Sequence, residues 1–165
     1  MANVTALGLS KIEVAEIDET TGLHSGSYAT LGKTYENTCR LSEEDPQEND
    51  FYCEEEDDPQ ETISRAGKTT LEFSIMNANA AALKNIFGGS VEAGVWSAPD
   101  STVEVYKNVK ITPRIGGVLE IRRCKLRAKV NAEFSKQGLF LCEVTGTVLK
   151  PLVASVSKMT YTDPS

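Results

Sequence analysis

From Lys125 to Phe134 the chain reads Lys-Leu-Arg-Ala-Lys-Val-Asn-Ala-Glu-Phe, with polar and apolar residues alternating without a break. Successive side chains of a strand point to opposite faces, so this pattern predicts a half-buried β-strand. Leu126, Ala128, Val130, Ala132 and Phe134 share one face, and Lys125, Arg127, Lys129, Asn131 and Glu133 share the other. Ser135-Lys136-Gln137-Gly138 supplies a hairpin turn, and Leu139 to Leu149 returns as the partner strand. A late antiparallel hairpin with one greasy and one basic face is therefore expected, and the rest of the chain has to cover the greasy one.

The preceding residues carry the same signature in shorter pieces. Val4 to Ile17 reads as an N-terminal strand or extended arm, and Asp18 to Gly26 as a turn region. Ser27 to Leu41 reads as a strand that leads into an acidic stretch. In Glu61 to Met76, Ile63, Leu71, Phe73 and Ile75 share one parity, with Gly67 as a candidate bulge. These two strands predict a long hairpin with the acidic stretch at its tip. One short amphipathic helix follows. Asn77 or Asn79 can cap it, Leu83, Ile86 and Phe87 recur at helical spacing, and Gly88-Gly89 stop it. Such a helix is too short to stand alone and must pack on a sheet. Ser90 to Thr102 is a connection holding Trp96, read as a core plug or lid, with an interface anchor as the alternative. Val103 to Ile111 is a strand whose odd positions are apolar except Lys107. Val118 to Ile121 starts another, whose parity slips at Arg122-Arg123, which predicts a bulge. Pro151 to Ser165 reads as a C-terminal arm or frayed end. The expected fold is one mainly β domain over residues 1–165. It is an antiparallel β-sandwich or barrel with one short flanking α-helix and a long projecting acidic loop.

That loop is the second strong feature. Ser42 to Glu61 holds eleven carboxylates in twenty residues, with no Lys or Arg and with Phe51-Tyr52-Cys53 at its centre. A block of this kind repels itself and forms no core alone. The chain has a net charge of −7, so the remaining residues are net positive, 17 basic against 13 acidic. Eight of the basic residues fall between Lys107 and Lys129, against one acid, Glu120. Opposite charges in separate blocks of one molecule favour head-to-tail self-association; two unrelated solvated faces are the alternative. On this reading Glu43, Glu44, Asp45, Asp50, Phe51, Tyr52, Glu54, Glu55, Glu56, Asp57 and Asp58 form one side of a contact between copies. Arg114, Arg122, Arg123, Lys125, Arg127 and Lys129 form the other.

Enzyme chemistry finds no foothold. The only histidine is His24, and neither a nucleophile elbow, a phosphate-binding loop nor a dinucleotide fingerprint is present. Glu54 to Asp58 lacks the alternating spacing that wraps a loop around Ca²⁺. The basic block has no interleaved aromatics for stacking bases, and the overall charge opposes nucleic-acid binding. No catalytic residue, metal or cofactor is expected. Cys39, Cys53, Cys124 and Cys142 are scattered, as for reduced thiols in a cytoplasmic product, although a Cys39–Cys53 bridge across the acidic loop stays open. Neither a leader peptide nor a membrane-spanning helix is expected.

The order of parts resembles the major tail tube proteins of long-tailed bacteriophages. The resemblance rests on the Leu41-Ser42-Glu43-Glu44-Asp45-Pro46 step into the acidic loop and on the Leu71–Ile75 strand. The Ala81–Phe87 helix and the late alternating hairpin complete it. It implies a β-sandwich or barrel whose copies close into rings, six in that family, that stack into a tube. DNA passes through the lumen without specific binding. Contractile-tail and type VI secretion tubes share that fold. The partners implied are the chain itself, with tape-measure, tail terminator and baseplate or tip proteins. The implied location is the virion tail, after assembly in the bacterial cytoplasm. A β-sandwich binding module or adhesin, for carbohydrate for example, is the alternative; it would want exposed aromatics on a sheet face.

Overall fold

The computed structural model describes residues 3–165. In chain order the elements are β1 (Lys11–Ile17), β2 (His24–Thr30), β3 (Arg40–Glu43), β4 (Gln47–Phe51), β5 (Glu61–Arg65), β6 (Thr69–Ile75) and α1 (Ala80–Phe87). There follow β7 (Ser90–Glu92), β8 (Val95–Ser97), β9 (Val105–Thr112), β10 (Val118–Ala132), β11 (Phe140–Val148) and β12 (Met159–Thr162). The fold is mainly β and antiparallel, with one short helix, in the sandwich or barrel-like class.

Strand β10 is the spine. Its first part pairs with β9 on one side and β12 on the other, and its second part pairs with β11. The parity slip at Arg122-Arg123 is a register shift between Ile121 and Cys124. The extra residue returns Cys124 and Leu126 to the face that Ile121 occupies, so the core stripe continues through the bend. The main sheet runs β2-β1-β9-β10-β11-β6-β3.

The two ends of this sheet are joined by the chain itself. After β2, Leu31 buries its side chain and the backbone turns at Gly32, whose φ of +123° is open to glycine and strained for other residues. Lys33 to Tyr35 then bond to β6, with Tyr35 N–H donating to Ser74 O at 2.8 Å and Met76 N–H to Lys33 O at 2.9 Å. The expected single strand from Ser27 to Leu41 is thus divided. Its first half edges one end of the sheet, and its second half pairs β6 at the other. This curls the sheet around a core built from Ile12, Val14, Val109, Ile121, Leu126, Val144, Leu71, Phe73 and Ile75.

Helix α1 covers part of the concave side. The Asn79 side chain accepts from Ala82 N–H at 2.9 Å, and Gly88 N–H closes the C-terminus on Lys84 O. Ala82 and Ile86 are the residues it buries, with Leu83 and Phe87 packed at the margin. Trp96, on the small β7–β8 hairpin, donates from Nε1 to Gly88 O at 2.9 Å and packs on Phe87, with ring centroids 5.6 Å apart. It therefore props the helix end. The C-terminal tail differs from its expectation as an arm. Residues Met159–Thr162 pair with Val118–Ile121, because β11 leaves that side of β10 after Leu149 and frees its backbone groups for a new partner.

Candidate functional surfaces

The acidic stretch forms most of a two-stranded ribbon. Beyond the β3–β6 pairing, Glu44 N–H donates to Lys68 O at 2.9 Å, and β4 and β5 continue the hairpin outward from Gln47↔Arg65 to Phe51↔Glu61. At the root, a side chain on Gly67 would lie 1.9 Å from Glu44 O, so glycine is required there by close backbone approach. Every residue of β4 and β5 is exposed. Cross-strand partners sort the ribbon into two faces. One carries Glu48, Asp50, Thr62 and Ser64, with the Thr62 hydroxyl donating to Asp50 at 2.7 Å. The other carries Asn49, Phe51, Ile63 and Arg65, with Phe51 and Ile63 more than half exposed. Among the described residues, none of the eleven carboxylates makes a salt bridge. Glu43 lies in β3, Glu44 and Asp45 at the ribbon root, and Asp50, Phe51 and Tyr52 towards its tip, where Glu54 to Asp58 form the turn.

Apart from Arg114 in the connection between them, the basic block lies on β9 and β10, and much of it is already neutralised. Arg122 donates to Glu120 at 2.7 Å, Lys125 to Glu104 at 2.8 Å, and Lys129 lies 3.3 Å from Glu143 on the facing strand. The hydrogen bond from Lys125, helped by one from Tyr106, holds the Glu104 carboxyl below the usual range, and Glu104 in turn raises the Lys125 ammonium. Glu143 is held low by Asn131 and then Lys129. Arg123 lies over the Tyr106 ring at 4.8 Å and reaches Lys150 O. Arg114 packs its stem against Gly8 on the wall of a polar groove that also holds Lys11 and Lys33. Arg127 is exposed, with no ion-pair partner among the described residues. The charge run is visible in sequence, but apart from Glu120, two residues from Arg122 on the same strand, its carboxylate partners lie on other strands or their approaches and have no local signal.

Lys107, the exception in the β9 alternation, is buried and paired with Glu16 at the rim of the core. On the opposite face of β9, the Tyr28 hydroxyl donates to Asn108 Oδ1 at 2.8 Å. Burial, then the Glu120 charge, push that phenol up to about 12. All four cysteines are free thiols, and burial pushes Cys124 up to about 12.

Sequence reasoning missed the length by which the β10–β11 hairpin outruns the body. The β9 ladder ends at Leu126↔Val105 and the β6 ladder at Cys142↔Ile75, while β10 and β11 stay paired to Ala132↔Phe140. The predicted greasy face is covered at Leu126, but Val130 and Phe140 are about half exposed and Phe134 is 89% exposed. At the foot of this overhang is a cavity of about 570 Å³, bounded by Phe87, Trp96, Pro99, Val103, Leu126 and Ala128, with Asp100 and Arg127 also on its wall. Among the described residues, no cluster of His, Cys, Asp or Glu is placed to hold a metal ion. Among the described residues, no helix is long and apolar enough to cross a membrane. Comparison with protein-family models finds no match. Comparison with curated proteins in sequence finds none either.

Proposed function

We propose that this chain is a structural subunit that assembles with copies of itself into rings stacked as a phage tail tube, a conduit for DNA. The observation that carries the reading is the β4–β5 ribbon, exposed at every residue and carrying carboxylates that make no salt bridge among the described residues. An isolated two-stranded ribbon is marginal in water and gains its shape from something it docks on. Phe51 and Ile63 offer that contact an apolar side, and the carboxylates give it a sign. Arg114, Arg123 and Arg127 are the cations of the basic face left for a neighbour once Arg122, Lys125 and Lys129 are paired internally. Single rim pairs contribute about 0–1 kcal/mol, so they set register through repetition around a ring rather than through strength. The resemblance of element order to tail tube proteins supports the same reading, with the virion tail as its location and tape-measure, terminator and tip proteins as further partners.

The ribbon can be removed cleanly, because Glu44 and Lys68 are hydrogen-bonded neighbours. Replacing Asp45–Gly67 with a two-residue Asn-Gly turn keeps the β3–β6 hairpin closed. Negative-stain microscopy of the concentrated full chain is expected to show rings or tubes with a central hole. The shortened chain is expected to fold and not to stack. A full chain that stays strictly monomeric at high concentration, or a shortened chain that stacks equally well, refutes the proposal.

A further inference from the structure

The overhanging hairpin and the cavity at its foot are a knob and a hole of matching chemistry on one chain. The knob is Phe134, the most exposed large apolar side chain among the described residues, backed by Phe140 with ring centroids 6.3 Å apart. The hole is the cavity of about 570 Å³ whose apolar wall includes Phe87, Trp96, Pro99 and Val103. The knob cannot enter its own hole. Ala128 is on the cavity wall, and the straight strand carries Ala132 roughly 14 Å away before the turn begins. The ladder to β11 holds β10 extended over that length. A knob and a hole fixed apart on one rigid element are satisfied only by a second molecule, and the contact is then heterologous, head to tail.

The charges flanking the two features agree. Glu133 and Lys136 bracket Phe134 on the turn, and Asp100 and Arg127 line the cavity. None of the four makes a salt bridge among the described residues. Each sign at the tip thus has its opposite at the hole. We infer that the occupant of the cavity is the Phe134 hairpin tip of another copy of this chain, with Lys136 meeting Asp100 and Glu133 meeting Arg127. The inference rests on the self-assembling reading above and adds a contact that shares only Arg127 with the basic face offered to the acidic ribbon.

Trp96 is the only tryptophan and lies on the cavity wall, so its emission reports occupancy directly. In the full-length chain, emission is expected to shift to shorter wavelength as concentration rises, in step with light scattering. Phe134→Asp changes a solvent-exposed side chain, so its unfolding midpoint should match the wild type, while association weakens about tenfold to a hundredfold. The decisive arm mixes two variants. Phe134→Asp retains the hole and the fluorescent Trp96, whereas Trp96→Phe retains the knob and is silent. Neither a flat emission from Phe134→Asp alone nor a dark partner alone gives a shift, so a shift on mixing places one molecule's knob in another's hole. Lys136→Asp should weaken association, and adding Asp100→Lys to the same chain should restore it.

Wild-type emission that stays flat to the highest attainable concentration overturns the inference. So does a Phe134→Asp chain that associates as tightly as the wild type, or a mixture without a shift. Tubes that form normally with Phe134→Asp sink this contact and leave the tube reading standing. Knob-dependent oligomers that never close into hollow rings or tubes do the reverse.

Discussion

The bend in β10 sets which of its residues reach the core, and Gly146 tests that register directly. Gly146 faces Leu126 across the β10–β11 ladder and Leu71 across the β11–β6 ladder. A Cβ placed there would lie 2.5 Å from Cys124 Sγ and 3.2 Å from Leu126 Cδ2. Its φ lies outside the left-handed region, so the objection to a side chain is steric and not conformational. Gly146→Ala is therefore overpacked, at a cost of about 1–3 kcal/mol, partly offset by about 0.4–1 kcal/mol from a stiffer unfolded chain. A net loss of about 1–2 kcal/mol lowers Tm by roughly 2–8 °C for a domain of this size. Cys124→Ala alone removes the buried sulfur and costs about 1 kcal/mol. In the double variant the new methyl occupies the space the sulfur vacated, so the penalties should not add. The expected coupling is about 1–2 kcal/mol in favour of the pair. Urea or thermal unfolding of the four proteins measures it. Losses that add within about 0.5 kcal/mol would mean that Cys124 and Gly146 do not share a core site, and the register after the bulge would be wrong.

Asn79→Ala removes the acceptor for Ala82 N–H and should cost about 1 kcal/mol in urea unfolding, with Asn79→Asp close to neutral. Ile86→Ala takes away the largest side chain that α1 buries and should cost about 2–5 kcal/mol; a loss under 1 kcal/mol would show that the helix is not docked on the sheet. Stability should decline as pH rises above about 9. The unfolded chain ionises its thiols at their ordinary value of 9.0, whereas burial holds Cys124 protonated up to about 12, so the unfolded state binds fewer protons across that window. Tyr28, raised from 10.0 to about 12, steepens the decline above pH 10, and Cys124→Ala should flatten its first part in unfolding curves taken at pH 8, 9 and 10. A thiol reagent at neutral pH should leave Cys124 and Cys142 unmodified until the chain unfolds, and reaction of either in the native protein would contradict their burial.

Local chemistry was enough to determine several elements from the sequence. The period-two run from Lys125 places the β10–β11 hairpin and the parity of its core face, the slip at Arg122-Arg123 marks the bulge, and Asn77 or Asn79 with Gly88 brackets the helix, Asn79 being the cap the fold uses. In each case the signal lies within about ten residues, because pleating, capping and turn geometry are short-range. The acidic run likewise announces an exposed projection, since eleven like charges cannot be buried together. The sequence could not tell which residues would meet across the fold. Lys125 and Lys129 look like free cations until strand pairing brings Glu104 and Glu143 to them. The tail becomes a strand only because β11 departs and leaves part of β10 unpaired. The stripe from Leu126 to Phe134 reads as a uniform core face, yet only its first half is covered. Cover is decided by where β9 begins, where β6 ends and how far an eight-residue helix reaches, all of them long-range outcomes of packing. Alternation determines which way side chains point, and tertiary structure alone decided that Phe134 points into water.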